Sequence, residues 1–176
     1  MQEITQENMT YMSKALDLAR EAFSNDEVPV GALIVQRETN TIIASSANKM
    51  REKKNATFHA EVLSIKKACE YFQNERLVGC DMYVSLEPCA MCAYAISIAR
   101  LDRLFFAAED KKSGGVLNGP KIFESSSTHH KPEVISGIYS SESSKLLKDF
   151  FKIRRSIHKL RKLSLIHISE PTRRRT

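Results

Sequence analysis

The sequence predicts a three-layer α/β domain with a central mixed sheet of five strands. Apolar runs at 28–36 and 41–47 are separated by a short polar turn, which predicts an antiparallel hairpin. Three further apolar runs, at 81–86, 103–108 and 133–138, alternate with segments of other periodicity. Strands that alternate with helices predict a sheet covered by helices on both of its faces.

The helices are predicted from apolar residues that recur every three or four positions. The first such segment covers 12–23, and it precedes a strand that contains Gly31, where the backbone can approach a neighbour closely. The second covers 59–72 and the third, which is mostly apolar, covers 89–100. The second and third helices each lie between two predicted strands in the sequence, as a layered α/β arrangement requires.

The composition is that of one globular domain, with 176 residues, of which 42% are hydrophobic and 27% charged. No run approaches the ~20 apolar residues of a membrane span, and the N-terminus has no signal-peptide pattern. We therefore expect a cytoplasmic protein without membrane contact. Disulfides are disfavoured in that setting, so the closely spaced Cys89 and Cys92 indicate metal binding or redox chemistry.

The C-terminal residues 163–176 are interpreted as separate from the functional domain. The run LSLIHISEPTR, at 163–173, is a translation of DNA that resembles a transposon-end sequencing adapter. We expect the tail at 163–176 to be non-native and the functional domain to cover 1–162. Re-sequencing the gene from its source tests this, because the same codons in genomic context would contradict it.

The segment 145–162 is basic, with eight Lys or Arg residues and one acid, Asp149. Its apolar residues are spaced by one, three or four positions, which predicts a basic amphipathic helix. Such a helix is either a solvated outer face or a binding surface for a polyanion such as nucleic acid.

Two predicted helices begin with residues that can bind a metal. His59 and Glu61 stand at the start of one, and Cys89 and Cys92 stand at the start of the other. Cysteines three residues apart on a helix point the same way and can hold one ion, with His59 as a third ligand. Three protein ligands are typical of a catalytic zinc, which keeps one position for water, and Glu61 is then a general acid/base.

Five motifs together resemble the bacterial tRNA-specific adenosine deaminase family: EVPVGA, FHAEV, LEPCAMCA, EDKKSGG and DFFKIRR. The likeness covers Met9 to Arg155. It implies a cytidine-deaminase-like fold and hydrolysis of the wobble adenosine of a tRNA anticodon to inosine. It also implies one Zn²⁺ per subunit, a tRNA anticodon stem-loop as partner, and a homodimer that binds the loop across both subunits.

The resemblance also assigns roles by position. His59, Cys89 and Cys92 match the family's zinc ligands, Glu61 its proton shuttle, and the backbone at Glu87 would orient the reacting water. The residues that match substrate-binding positions cover the base, the ribose and the anticodon loop: Asn48, Pro29, Val30, Asp110, Phe151, Arg154 and Arg155.

The chain departs from the family pattern at Glu109, where a basic residue is usual, and in the loop 116–132. Both departures lie on the side expected to face RNA. Alternatives to the tRNA enzyme therefore stay open: a zinc deaminase of a free base or nucleoside (guanine or cytosine type), a zinc-dependent RNA-binding module, and a redox protein.

Overall fold

A computed structural model describes residues 4–168, with side chains described as far as Leu163. Its elements follow the chain in this order: α1 (Gln6–Ser24), β1 (Gly31–Gln36), β2 (Thr41–Ala47), α2 (Ala60–Phe72), β3 (Cys80–Leu86), α3 (Ala90–Ile98), β4 (Arg103–Ala108), a 3₁₀ turn (Ile122–Glu124), β5 (Glu133–Ser136) and α4 (Ser140–Ile168).

The five strands form one mixed sheet in the order β2-β1-β3-β4-β5. Strand β1 is antiparallel to both of its neighbours, whereas β3, β4 and β5 run parallel. The hairpin and the mixed five-stranded sheet predicted from the sequence are therefore confirmed.

Helices cover both faces of this sheet. On one face, Met12 and Ala15 of α1 pack with Leu33, Tyr83 and Phe105, and the last two rings stack at 4.4 Å between centroids. On the other face, α2 and α3 bury their apolar residues against the sheet. The result is the predicted three-layer α-β-α architecture, in which α1 and α4 share one layer.

Gly31 is the point of closest approach between α1 and the sheet. A Cβ atom at this position would lie 2.3 Å from the carbonyl oxygen of Ala15. Only glycine therefore allows the start of β1 to pack directly on the helix. This contact sets the position of the backbone just before β1, which forms part of the site described below.

The helix boundaries differ from prediction in ways that matter for the site. Both His59 and Cys89 lie one residue before their helices, as N-caps with extended backbone. Helix α4 begins at Ser140, five residues before the basic segment 145–162, because the polar Ser-rich turn joins it. The expected non-native tail, 163–176, overlaps the end of α4, and its residues 169–176 lie outside the described part of the chain.

One edge of the sheet collects four chain segments. Strand β1 starts there, at Gly31, and β2, β3 and β4 end there, at Ala47, Leu86 and Ala108. Helices α2 and α3 begin close to this edge, so their N-termini meet. Within residues 4–168, none of the helices has the length and hydropathy to cross a membrane.

Candidate active site

The candidate metal ligands come from two helix N-termini. An N-cap side chain usually accepts a hydrogen bond from its own helix, but neither His59 nor Cys89 does so. The backbone N–H of Ala60 is instead satisfied by Oδ1 of Asn48, at 2.8 Å. The two N-cap side chains are therefore free to turn toward each other and toward Cys92.

The three donor atoms form a compact triangle. His59 Nδ1 lies 3.4 Å from Cys92 Sγ and 3.7 Å from Cys89 Sγ, and all three atoms fall within 4.8 Å of one another. Tetrahedral zinc, with bonds of about 2.0 Å to nitrogen and 2.3 Å to sulfur, separates such ligands by roughly 3.5 Å. The donor set and its spacing fit a tetrahedral metal ion with one position left over.

The electrostatics of the two thiols support the same fit. A hydrogen bond from Cys92, aided by His59, lowers the pKa of Cys89 to about 4. The same hydrogen bond, together with burial, raises the pKa of Cys92. The pair thus holds one negative charge and one proton, and a divalent cation would displace that proton to give a second thiolate.

Glu61 lies in the first turn of α2, two residues after His59. Its side chain is only 3% exposed, and burial raises its pKa to about 7. Among the described residues, no hydrogen-bond partner reaches its buried Oε2 atom. A carboxyl group with a pKa near neutrality and an unused oxygen is suited to accept and return a proton.

These groups line one cavity of about 480 Å³ at the sheet edge. His59, Glu61 and Cys89 form its floor, and most of the residues assigned to substrate binding form its walls: Val30, Asn48, Asp110, Phe151 and Arg155. The structure therefore brings together residues that are far apart in the sequence, from Val28 to Arg155. Met50, Lys112, Ser113 and Leu147 also line the cavity. Lys112 and Ser113 belong to the motif EDKKSGG, but the sequence assigned no individual role to any of these four residues.

Asn48 is held in one orientation. Because its Oδ1 accepts the hydrogen bond from Ala60, its Nδ2 amide group is the donor left for a ligand. Its backbone N–H donates to the carbonyl of Val30 at 3.0 Å, which joins the end of β2 to the start of β1. Val28 and Val30 supply apolar wall, whereas Pro29, between them, does not line the cavity formed by the described residues.

The loop 110–118, which follows β4, is held by a carboxylate that sequence reasoning overlooked. Glu87 is 2% exposed and accepts five hydrogen bonds from the loop, four from backbone N–H groups and one from the Asn118 amide. Burial alone would raise the pKa of Glu87, but these donors outweigh it and lower the pKa. The sequence signal is an acid directly before Pro88, to which the family resemblance assigns a role for the backbone alone.

Asp110 begins this loop and lines the cavity. One of its carboxylate oxygens, Oδ1, accepts the backbone N–H groups of Lys112 and Ser113, each at 3.0 Å. The side chain of Asp110 thus shapes the loop as well as facing the cavity. Glu109, the departure from the family pattern, is exposed, and Asn118 Nδ2 lies 3.4 Å from its Oε2.

Of the three α4 residues assigned to substrate binding, two line the cavity and one does not. Phe151, which is 40% exposed, and Arg155 line it. Arg154 lies outside the lining and pairs with Asp26, with both carboxylate oxygens at 2.9 Å. Because these side chains are partly exposed, the pair contributes only about 0–1 kcal/mol of stability, so Arg154 can exchange Asp26 for another anion.

Comparison with known proteins agrees with this geometry. The MafB19-like deaminase family model matches residues 6–155. A tRNA-specific adenosine deaminase of Rickettsia bellii (strain RML369-C) is 49% identical over 141 residues, which are 80% of this chain and 97% of that protein. This chain belongs to the tRNA-specific adenosine deaminase family.

Two further comparisons support membership in that deaminase family. The tRNA-specific adenosine deaminase of Agrobacterium fabrum (strain C58 / ATCC 33970) is 46% identical over 149 residues, 85% of this chain and 97% of the relative. A solved structure from work on A-to-I editing by tRNA:A34 deaminases has a TM-score of 0.76 and 47% identity, covering 78% of this chain and 99% of that one. The family resemblance and the cytidine-deaminase-like fold predicted from the motifs are confirmed.

The geometry predicts that the metal content depends on Cys92 and is independent of Cys69, a partly exposed thiol of α2. Cys92→Ala is expected to lower the bound metal from about one ion per chain to near zero, because two ligands hold an ion poorly. Cys69→Ala is expected to keep the metal. Elemental analysis of the purified proteins checks both, and full metal in Cys92→Ala would contradict the ligand assignment.

Proposed function

We propose that this chain hydrolyses adenosine to inosine, with release of ammonia, at the wobble position of a tRNA anticodon in the cytoplasm. The observation that carries the proposal is the His59, Cys89 and Cys92 triangle, together with the buried Oε2 of Glu61, which has no hydrogen-bond partner in the described part of the chain. The curated names of the related proteins support adenosine in tRNA as the substrate.

His59, Cys89 and Cys92 would hold Zn²⁺. When bound, zinc supplies Lewis acidity that allows water to act as a nucleophile at neutral pH. Glu61 would accept a proton from water on its Oε2 atom and return it to a nitrogen of the adenine ring. Its raised pKa, about 7, suits both directions of this transfer.

The walls of the cavity would hold a flipped base. Asn48 offers its Nδ2 amide to a ring-nitrogen acceptor of adenine, and its orientation is already set by Ala60. Val28 and Val30 offer apolar contact to the plane of the ring. An adenine must leave its stack to enter, which is least costly in a single-stranded loop.

Helix α4 would bind the anticodon loop. Phe151 lines the cavity while 40% exposed, so its ring can stack on a neighbouring base. Arg155, at the same cavity, and Arg154, beside Asp26, can contact phosphates. RNA binding carried by these cations weakens as the salt concentration rises.

We propose a homodimer that forms through α3. Met91, Tyr94 and Ile98 lie on one face of this helix and are 38%, 43% and 62% exposed, and Leu117 of the neighbouring loop is 42% exposed. An apolar patch of this kind on a soluble protein commonly marks an interface. Because Leu117 belongs to the loop 110–118, which lines the cavity, this interface would place a second subunit near the cavity.

The dimer is tested with two matched tyrosine variants. Tyr94→Asp is expected to sediment as a monomer, because a charge is costly in an apolar interface. Tyr71→Asp, on α2 and 64% exposed, is expected to leave the dimer intact. Analytical ultracentrifugation distinguishes them, and a dimeric Tyr94→Asp protein would show that the interface lies elsewhere.

The reaction is tested with an arginine-tRNA anticodon stem-loop that carries a wobble adenosine. Wild-type protein is expected to form inosine, whereas Glu61→Ala is expected to lose at least about 100-fold in rate while keeping its zinc, because only the proton transfer is removed. Inosine by mass spectrometry and zinc by elemental analysis are measured on both proteins.

The outcomes of this assay separate the proposal from its alternatives. No inosine from wild-type protein with a full zinc complement would contradict the tRNA substrate, and turnover of free guanine, cytosine or a nucleoside would then select the other deaminase class. Tight RNA binding with no ammonia release from any substrate would indicate a binding module.

A further inference from the structure

Glu87 connects the substrate-facing loop to the metal-binding turn. It lies two residues before Cys89 and lines the same cavity, and its carboxylate accepts hydrogen bonds from the loop 110–118. Its Oε1 accepts the backbone N–H groups of Val116, Leu117 and Asn118 at 3.1, 2.8 and 2.9 Å. Three donors on one oxygen tie the far half of the loop to this residue.

The second carboxylate oxygen of Glu87 binds both ends of the loop 110–118. Oε2 of Glu87 accepts the backbone N–H of Asp110 at 2.9 Å and the Nδ2 amide of Asn118 at 2.7 Å. Asp110 and Asn118 are the two ends of the loop, so a single carboxylate closes it. Lys112 and Ser113, which line the cavity together with Asp110, lie between these two attachment points.

The middle of the loop is packed directly on the turn that carries Cys89. Gly115 donates its N–H to the carbonyl of Pro88 at 2.8 Å, and Gly114 forms a β-bridge with Cys89. A Cβ on Gly114 would lie 2.5 Å from the Glu87 carboxyl carbon, and one on Gly115 would lie 2.5 Å from the backbone nitrogen of Ala90. The two glycines therefore allow the loop to close over a buried acid.

We propose that Glu87 is a positioning residue that sets substrate affinity: its carboxylate holds Asp110, Lys112 and Ser113 against the cavity without taking part in the chemistry. This inference rests on the function proposed above and adds a residue for substrate recognition to it. Although Glu87 lines the cavity, both of its carboxylate oxygens are occupied by loop donors, so its loss is expected to act through the loop, raising KM and leaving the metal and the proton transfer in place.

Glu87→Gln is the sharpest variant, because it keeps the shape of the side chain. The amide oxygen of glutamine can still accept at the Oε1 position, but its NH₂ group then faces the two donors on Asp110 and Asn118. In steady-state assays with the stem-loop, KM is expected to rise about tenfold while kcat stays within about twofold. Zinc content is expected to equal that of wild type.

A second substitution tests the contact itself. Asn118→Asp alone places two carboxylates together and is expected to raise KM. In the double variant Glu87→Gln/Asn118→Asp, the glutamine amide donates to the new carboxylate, so KM is expected to fall below that of Glu87→Gln. Glu70→Gln, an exposed acid on α2, is the charge-matched control and is expected to behave as wild type.

Amide hydrogen exchange gives a readout that does not need activity. Peptides that cover 110–118 are expected to exchange at least about tenfold faster in Glu87→Gln than in wild type, since their acceptor is weakened. If Glu87→Gln does not fold, Asn118→Ala, which removes one donor, is expected to raise both KM and loop exchange by about threefold.

The inference about Glu87 is overturned by an unchanged KM with unchanged loop exchange. It is also overturned if Glu87→Gln loses zinc and kcat together, because Glu87 would then support the metal-binding turn instead of the loop. An inactive wild-type protein with full zinc contradicts the proposed function only, and the exchange rates then decide for or against Glu87.

Discussion

The meeting of two helix N-termini at one sheet edge is the constraint on which the structure depends. His59 and Cys89 are the N-caps of α2 and α3, and their side chains lie within 4.8 Å of each other and of Cys92 only because both helices start beside the same strand ends. The antiparallel β1 makes this possible. It brings β2, and with it the start of α2, to the edge where β3 ends.

Hydrogen bonds to buried side chains, rather than surface ion pairs, hold the site in shape. Asn48 replaces the missing N-cap of α2, and Glu87 closes the loop 110–118 with five hydrogen bonds. Bonds to a buried carboxylate contribute about 1.5–3 kcal/mol each, well above the ~0–1 kcal/mol of an exposed pair such as Arg154–Asp26. Asn48 and the loop 110–118 are therefore held firmly at the cavity, whereas Arg154 of α4 can exchange its weakly bound partner.

Much of the fold and the metal triangle could be predicted from the sequence, because both follow from local patterns. Hydrophobic spacing located the five strands and the helices, and the spacing of Cys89 and Cys92 placed two donors on one turn. The contacts of Glu87 could not be predicted. They join an acid to backbone N–H groups 23 to 31 positions away. Because every residue except proline has a backbone N–H, residue identity does not show which of them will donate. The pairing of Arg154 with Asp26 could not be predicted either, because it depends on how α4 packs relative to α1.

We propose that His59, Cys89 and Cys92 bind zinc and leave one position for water. Zinc K-edge X-ray absorption of the purified protein tests it most directly. The account predicts two sulfur ligands at about 2.3 Å and two nitrogen or oxygen ligands at about 2.0–2.1 Å. A shell of four protein ligands with three or more sulfurs would contradict it, because such a site is closed and structural.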